Sequence, residues 1–269
     1  MSGGRINNLR IDDMIIRNQY IANLANNGQR EDGRQLDEFR PIRIEVNPIP
    51  NAEGSARVQI GNTDVIVGVK LSVGTPFSDK PNEGVLISNA ELSPMSHPDF
   101  EPGPPNEESI ELARVVDRGI RESHAIDTKK LCIKEGEKVW MVNIDTQVMN
   151  HDGNLLDASA LAAAVALQNT SMLHYDEKTE KVDIEKREGK LPLADRPIAV
   201  TIYKIGSRLV IDPTYNEQKA ATARLTVSTI DDGQIVALQK GGVEPLTFDE
   251  IKECFRLSVE NGKRIRKLI

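Results

Sequence analysis

The chain has 269 residues, 39% hydrophobic and 28% charged, with a formal net charge of −7. No apolar run approaches the roughly 18 residues of a membrane span, and no basic-then-apolar leader opens the sequence, so a cytoplasmic globular protein is expected. The acidic balance excludes whole-surface attraction to nucleic acid, and any such contact must come from a local basic patch. Cys132 and Cys254 stand far apart and form neither a CxxC pair nor a disulfide framework.

Ile11, Ile15, Ile16, Ile21 and Leu24 recur at helical spacing, and Asn26-Asn27-Gly28 stops the pattern, which predicts an N-terminal helix. From Arg40 the period changes to two. Ile42, Ile44 and Val46 alternate with Arg43 and Glu45, Val58 and Ile60 alternate with Arg57 and Gln59, and Gly61-Asn62 separates these from Val65–Val69. Strands and a hairpin follow, with a further strand over Val85 to Leu92. Five prolines and a glycine between Pro94 and Pro105 dictate a loop. Asn106 then caps a helix reaching about His124, with Glu107 and Glu108 at its positive end. A strand over Val139 to Asp145 precedes an alanine-rich helix expected from Leu155 to Leu173.

The segment from Asp176 to Lys190 is charged and poor in apolar residues, and reads as a solvated excursion and linker. Strands return over Ile198–Ile205, Arg208–Ile211, Ala223–Ile230 and Ile235–Leu238, before a last helix from about Thr247 to Lys267. Each strand block opens on the same tripeptide, Arg40-Pro41-Ile42 and Arg196-Pro197-Ile198. The expected organisation is α+β: an N-terminal helix over 1–29, a first lobe over 30–175, the charged excursion over 176–195 and a second, related lobe over 196–269.

Motif searches find no phosphate loop, dinucleotide fingerprint, serine elbow or zinc-protease helix, and His97, His124, His151 and His174 share no metal-ligand spacing. No cofactor or metal is expected. His151 and Asp152 read as turn residues ahead of a helix. Asp12-Asp13 and Asp231-Asp232 read as solvated surface, and the basic cluster Lys263, Arg264, Arg266 and Lys267 as cations at a helix C-terminus.

One pattern carries more information. At about 100° per residue, Arg114, Arg118 and Arg121 fall within an arc of about 60° on the predicted helix. Leu112, Val115, Val116 and Ile120 lie opposite. The stripe suits a phosphate backbone, because guanidinium offers paired donors and a permanent charge. The alternative is a salt-bridged surface in which Glu111 reaches Arg114 while Asp117 reaches Arg114 and Arg121. Spacing alone favours that alternative.

Taken together, Arg30-Glu31-Asp32-Gly33-Arg34, Arg40-Pro41-Ile42, Glu53-Gly54-Ser55-Ala56, Gly61-Asn62-Thr63 and Asp212-Pro213-Thr214 resemble the ordered motifs of ribonuclease PH-like proteins. The resemblance covers nearly all the chain from residue 30 and is strongest to the non-catalytic ring subunits of archaeal exosomes. It implies the ribonuclease PH-like fold, with two related sheet-and-helix lobes of the ribosomal protein S5 domain 2 type. It also implies a hexameric ring of three heterodimers with a catalytic ribonuclease PH-like subunit, an RNA-binding cap, and single-stranded RNA as the bound polymer, with no membrane role.

Active relatives remove nucleotides from the RNA 3′ end with inorganic phosphate, held in a Gly-Thr-Arg-type turn at a helix N-terminus. The matching stretch here is Asn154-Leu155-Leu156-Asp157. Leu156 stands in the arginine's place, and Asp157 is expected to repel the anion. Gln218 and Arg224 stand where active relatives carry aspartates, and neither can act as a general acid or base. No catalytic residue is therefore expected. Arg114 and Arg118 match the family's RNA-contacting arginines, and Arg121 extends the set by geometry. The competing readings are a phosphorolytic exoribonuclease with a rearranged site, built on Asp212 and Glu217, and a free-standing acidic RNA-binding module.

Overall fold

The computed structural model of the chain describes the backbone of residues 3–269 and side chains from residue 14 onward. Ile11 therefore lies in a described helix, but its side chain falls outside the described ones.

Helix α1 (Gly3–Asn26) leads to a first sheet built from β1 (Ile42–Val46), β2 (Gly54–Ile60), β3 (Thr63–Gly74) and β4 (Val85–Leu92). Helix α2 (Glu107–Glu122), a 3-10 turn at Thr128–Leu131, β5 (Cys132–Lys134) and β6 (Lys138–Asn150) follow. Next come α3 (Leu155–Gln168), β7 (Ser171–Asp176), β8 (Lys181–Lys190), β9 (Ile198–Ile205), β10 (Arg208–Ile211) and α4 (Tyr215–Ala220). The chain closes with β11 (Ala223–Thr229), β12 (Ile235–Gly242) and α5 (Phe248–Arg266).

The first sheet runs β1-β2-β3-β6-β4, with β5 paired to β6, and only β4 is parallel to its neighbour. The second runs β10-β9-β11-β12, antiparallel throughout. Both related tripeptides open strands, but β1 is an edge strand and β9 an inner one.

Helix α3 joins the lobes. It packs on β2 and β3 on one side and on β9 and α2 on others. Its sequence is apolar all round, as a helix with no solvent face requires, and Ala158, Ala162, Ala163 and Ala166 are fully buried. Their short side chains let both sheets approach the helix backbone. The helix ends at Gln168, earlier than the composition suggested, because Asn169 closes its last turn and the chain leaves as β7. That strand pairs with β8, so the charged excursion supplies the second strand of a two-stranded ribbon rather than an irregular linker. Its exposed, charged side chains hid the strand period.

Helix α1 docks on the second lobe. Ile21 and Ala25 are buried against Tyr203, Ile205, Val210 and Ala220. Ile15 and Ile16, which share the helical spacing, are exposed. Asn26 accepts at 2.8 Å from both the backbone N–H and the hydroxyl of Ser207. The β9–β10 turn must pass close there: a Cβ on Gly206 would stand 2.6 Å from Asn26 Oδ1. The N-terminal helix and the C-terminal lobe thus form one packing unit.

Candidate functional site

The site is assembled where α3 begins. Asn154, at the helix start, adopts a left-handed conformation (φ 58°), and Gly153 before it has φ 86°. A Cβ on Gly153 would lie 2.3 Å from the Pro213 carbonyl oxygen, so the turn presses against the segment after β10.

That segment carries Asp212, which is fully buried. Its carboxylate accepts from the Arg40 backbone N–H at 2.7 Å and from Arg40 Nε at 2.9 Å and Nη2 at 2.7 Å. Arg34 Nη1 at 3.1 Å and Asn154 Nδ2 at 2.9 Å complete the set. Burial alone would raise the Asp212 pKa, but the Arg40 guanidinium and these donors hold it below the usual carboxylate range. Glu217 is buried as well. It receives Arg30 through Nε at 2.9 Å and Nη2 at 2.5 Å and completes a capping box with Thr214. The arginine-rich opening motif thus clamps the N-terminal segment to the second lobe. Asp212 and Glu217, on which a rearranged active site would depend, are both committed to that clamp.

The structure brings Leu156, Gln218 and Arg224 together. They line one pocket of about 170 Å³ with Glu108, Glu111, Leu112, Leu155 and Tyr203. Leu155 and Leu156 place hydrocarbon over the start of α3, where an anion would need donors. Gln218 Oε1 accepts from the Asn154 backbone N–H at 2.9 Å, so a neutral amide occupies a donor at the helix start. Arg224 is paired with Glu111 at 2.5 Å.

Asp157 corrects an expectation. Its carboxyl does not face the pocket but points into the protein, accepting from Thr201 N at 3.1 Å, Thr201 Oγ1 at 2.7 Å and Asn154 Nδ2 at 3.1 Å. Burial pushes its pKa up to about 7. The group is an internal anchor for β9, not a charge repelling an incoming anion.

An adjoining cavity of about 130 Å³ shares Glu108, Tyr203, Gln218 and Arg224 with the first. Beside it, His151 stacks on Phe100 with ring centroids 5.5 Å apart and meets His97 and Tyr215 edge-on. Burial, reinforced by the neighbouring His97, lowers the His151 pKa to about 4. This aromatic cluster, drawn from the proline loop, the turn before α3 and α4, had no signal in local spacing.

On the other side of α2 the arginines are exposed, but they are not equivalent. Asp117 takes Arg121, with Nε at 3.0 Å and Nη2 at 2.8 Å. The anticipated Glu111–Arg114 pair does not form, since Glu111 turns to Arg224. Arg118 Nη1 donates to Gln239 Oε1 at 2.6 Å and to the Leu238 carbonyl at 3.4 Å. Arg114 has no hydrogen-bond or ion-pair partner among the described residues. Arg114 and Arg118 line a groove of about 440 Å³ with Glu107, Ile110, Glu111, Val115 and Gln239. Asn106 fixes the start of α2 by accepting from Ser109 N at 2.9 Å. Burial of Leu112, Val115, Val116 and Ile120 sets which face turns outward.

An α+β pair of lobes with a helix-start pocket between them defines a ribonuclease PH-like protein. Residues 38–172 match the 3′ exoribonuclease family, domain 1, and residues 195–261 match domain 2 of the same family. The exosome complex component Rrp42 of Methanocella arvoryzae is 50% identical over 258 residues, covering 95% of this chain and 97% of that protein. The component of the same name from Methanosarcina acetivorans is 49% identical over 253 residues, covering 94% and 93%. A solved Archaeoglobus fulgidus exosome with RNA bound to the active site contains a chain 45% identical, with a TM-score of 0.87 and coverage of 94% and 98%. This chain therefore belongs to the 3′ exoribonuclease family, as an archaeal exosome subunit of the Rrp42 type.

Proposed function

We propose that this chain is the non-catalytic half of a phosphorolytic pair: it completes the ring with a catalytic ribonuclease PH-like subunit and guides RNA with Arg114 and Arg118. The observation that carries the first half is the pocket at the start of α3. Leu156 caps it with hydrocarbon, Gln218 fills a backbone donor, and Arg224 is tied to Glu111. Phosphorolysis needs an anion cradle and a group able to move a proton, and the residues facing this pocket supply neither in the family's positions. Asp212 and Glu217 cannot substitute without dismantling the arginine clamp.

Arg114 and Arg118 support the second half, because exposed guanidinium donors bind phosphate without reading base sequence. Arg121 is a lesser contributor, because Asp117 offsets its charge and occupies its paired donor edge. The ring of three heterodimers, an RNA-binding cap and a cytoplasmic location complete the reading. The test is phosphorolysis of single-stranded RNA by each purified subunit alone and by the mixture. The mixture should be active and this chain alone inert, and nucleoside diphosphate release by this chain alone would overturn the proposal.

A further inference from the structure

We infer that Gln239 is a positioning residue for RNA contact: it holds Arg118 by one nitrogen so that the other edge of the guanidinium faces a phosphate. The inference rests on the RNA-guiding reading above.

Arg118 Nη1 carries two N–H groups, and it meets two acceptors, Gln239 Oε1 at 2.6 Å and the Leu238 carbonyl at 3.4 Å. Both acceptors belong to β12, the outer strand of the second sheet, where one side of the backbone has no strand partner. Nε and Nη2 have no acceptor among the described residues. These are the two nitrogens whose parallel N–H bonds form a bidentate donor for phosphate. Arg121 shows the opposite arrangement on the same helix: its Nε and Nη2 are the nitrogens taken by Asp117.

The chemistry of residue 239 fits this role. A carboxylate there would hold Arg118 as firmly but cancel its charge. A neutral amide fixes the orientation and leaves the positive charge available. Gln239 itself lines the groove with Arg114, Arg118 and the apolar Ile110 and Val115. A long surface arginine otherwise loses rotamer freedom when it captures a phosphate, and restraint beforehand reduces that loss.

The experiment measures binding of single-stranded oligoadenylate to the complex reconstituted with the catalytic partner, across a salt series. Five forms are compared: wild type, Gln239→Met, Arg118→Ala, Gln239→Met with Arg118→Ala, and Arg114→Ala with Arg118→Ala. Methionine keeps the length of the side chain and removes the acceptor. The inference expects Gln239→Met to weaken binding about two- to tenfold with the salt slope unchanged. Arg118→Ala should weaken it further and reduce the slope by about one phosphate contact. In the Arg118→Ala background, Gln239→Met should have no additional effect.

If Arg118→Ala weakens binding and Gln239→Met does not, the positioning role is wrong and the RNA-guiding reading stands. An equal loss from Gln239→Met with and without Arg118 also overturns positioning, because the glutamine then acts by another route. If Arg114→Ala with Arg118→Ala leaves affinity and slope unchanged, the RNA-guiding reading itself fails.

Discussion

Replacing Asp212 with asparagine isolates the clamp that orders the pocket. Five donors converge on its two oxygens: three from Arg40, one from Arg34 and one from Asn154. Asparagine keeps the size but offers one oxygen, and it turns an amide toward guanidinium N–H groups. Arg40, 7% exposed, is left as a buried charge without its main partner. Breaking a buried pair from one side costs about 3–5 kcal/mol. At roughly 2–4 °C per kcal/mol, the melting temperature should fall by about 6–20 °C.

The pH dependence follows from linkage. The Asp212 pKa in the folded protein lies below the ordinary aspartate value of 3.8. Its stabilisation is thus present above the unfolded value and is lost as pH falls through the folded one. Urea denaturation of wild type and Asp212→Asn at neutral pH should show the full gap, and the gap should narrow as pH falls below about 4. A loss under about 1 kcal/mol at neutral pH would refute the buried-pair reasoning, as would a gap that does not change with pH.

Asp157 titrates in the opposite sense. With its pKa raised to about 7 in the folded state, stability declines as pH rises from the unfolded value toward 7. Asp157→Asn, which resembles the neutral carboxyl, should match wild type below about pH 4 and melt higher above pH 7. A pH-independent difference in melting temperature would contradict this. Gly153→Ala combines a positive φ with a Cβ 2.3 Å from Pro213 O, so chemical denaturation should show a loss of about 2–5 kcal/mol. An unchanged midpoint would show that the turn relaxes freely. Cys254 is fully buried, and burial with nearby Glu250 and Glu253 pushes its thiol up to about 12. Iodoacetamide should modify half-buried Cys132 in the native protein and reach Cys254 only after unfolding. Peptide mapping of the alkylated protein checks this, and native labelling of Cys254 would contradict it.

Much of the fold was legible because it rests on local periodicity. Alternation marked β1 and β2, and the Asn106 cap and arginine stripe marked α2 and its outward face. What escaped depends on contacts distant in sequence. Strand β8 has a charged, solvated surface, so no apolar alternation announces it, and its partner β7 falls where the apolar run of α3 was expected to continue. Helix α4 spans only Tyr215–Ala220 and is held by its capping box and by α1. Within the site, Leu156, Gln218 and Arg224 were found by resemblance, and their shared pocket required the fold. Glu111 could reach Arg114 by helical spacing, yet Arg224 on β11 offered a partner that spacing cannot reveal. Asp157 is expected from its helix position to meet the anion, because that position alone does not show that β9 passes beside it.

An α3 pocket closed to phosphate is what makes the chain inert alone, and calorimetric titration of inorganic phosphate into the isolated chain reads this without the catalytic partner. No saturable binding with a Kd of about 1 mM or tighter is expected. Saturable binding in that range, abolished by Arg224→Ala, would show a working anion site and contradict it.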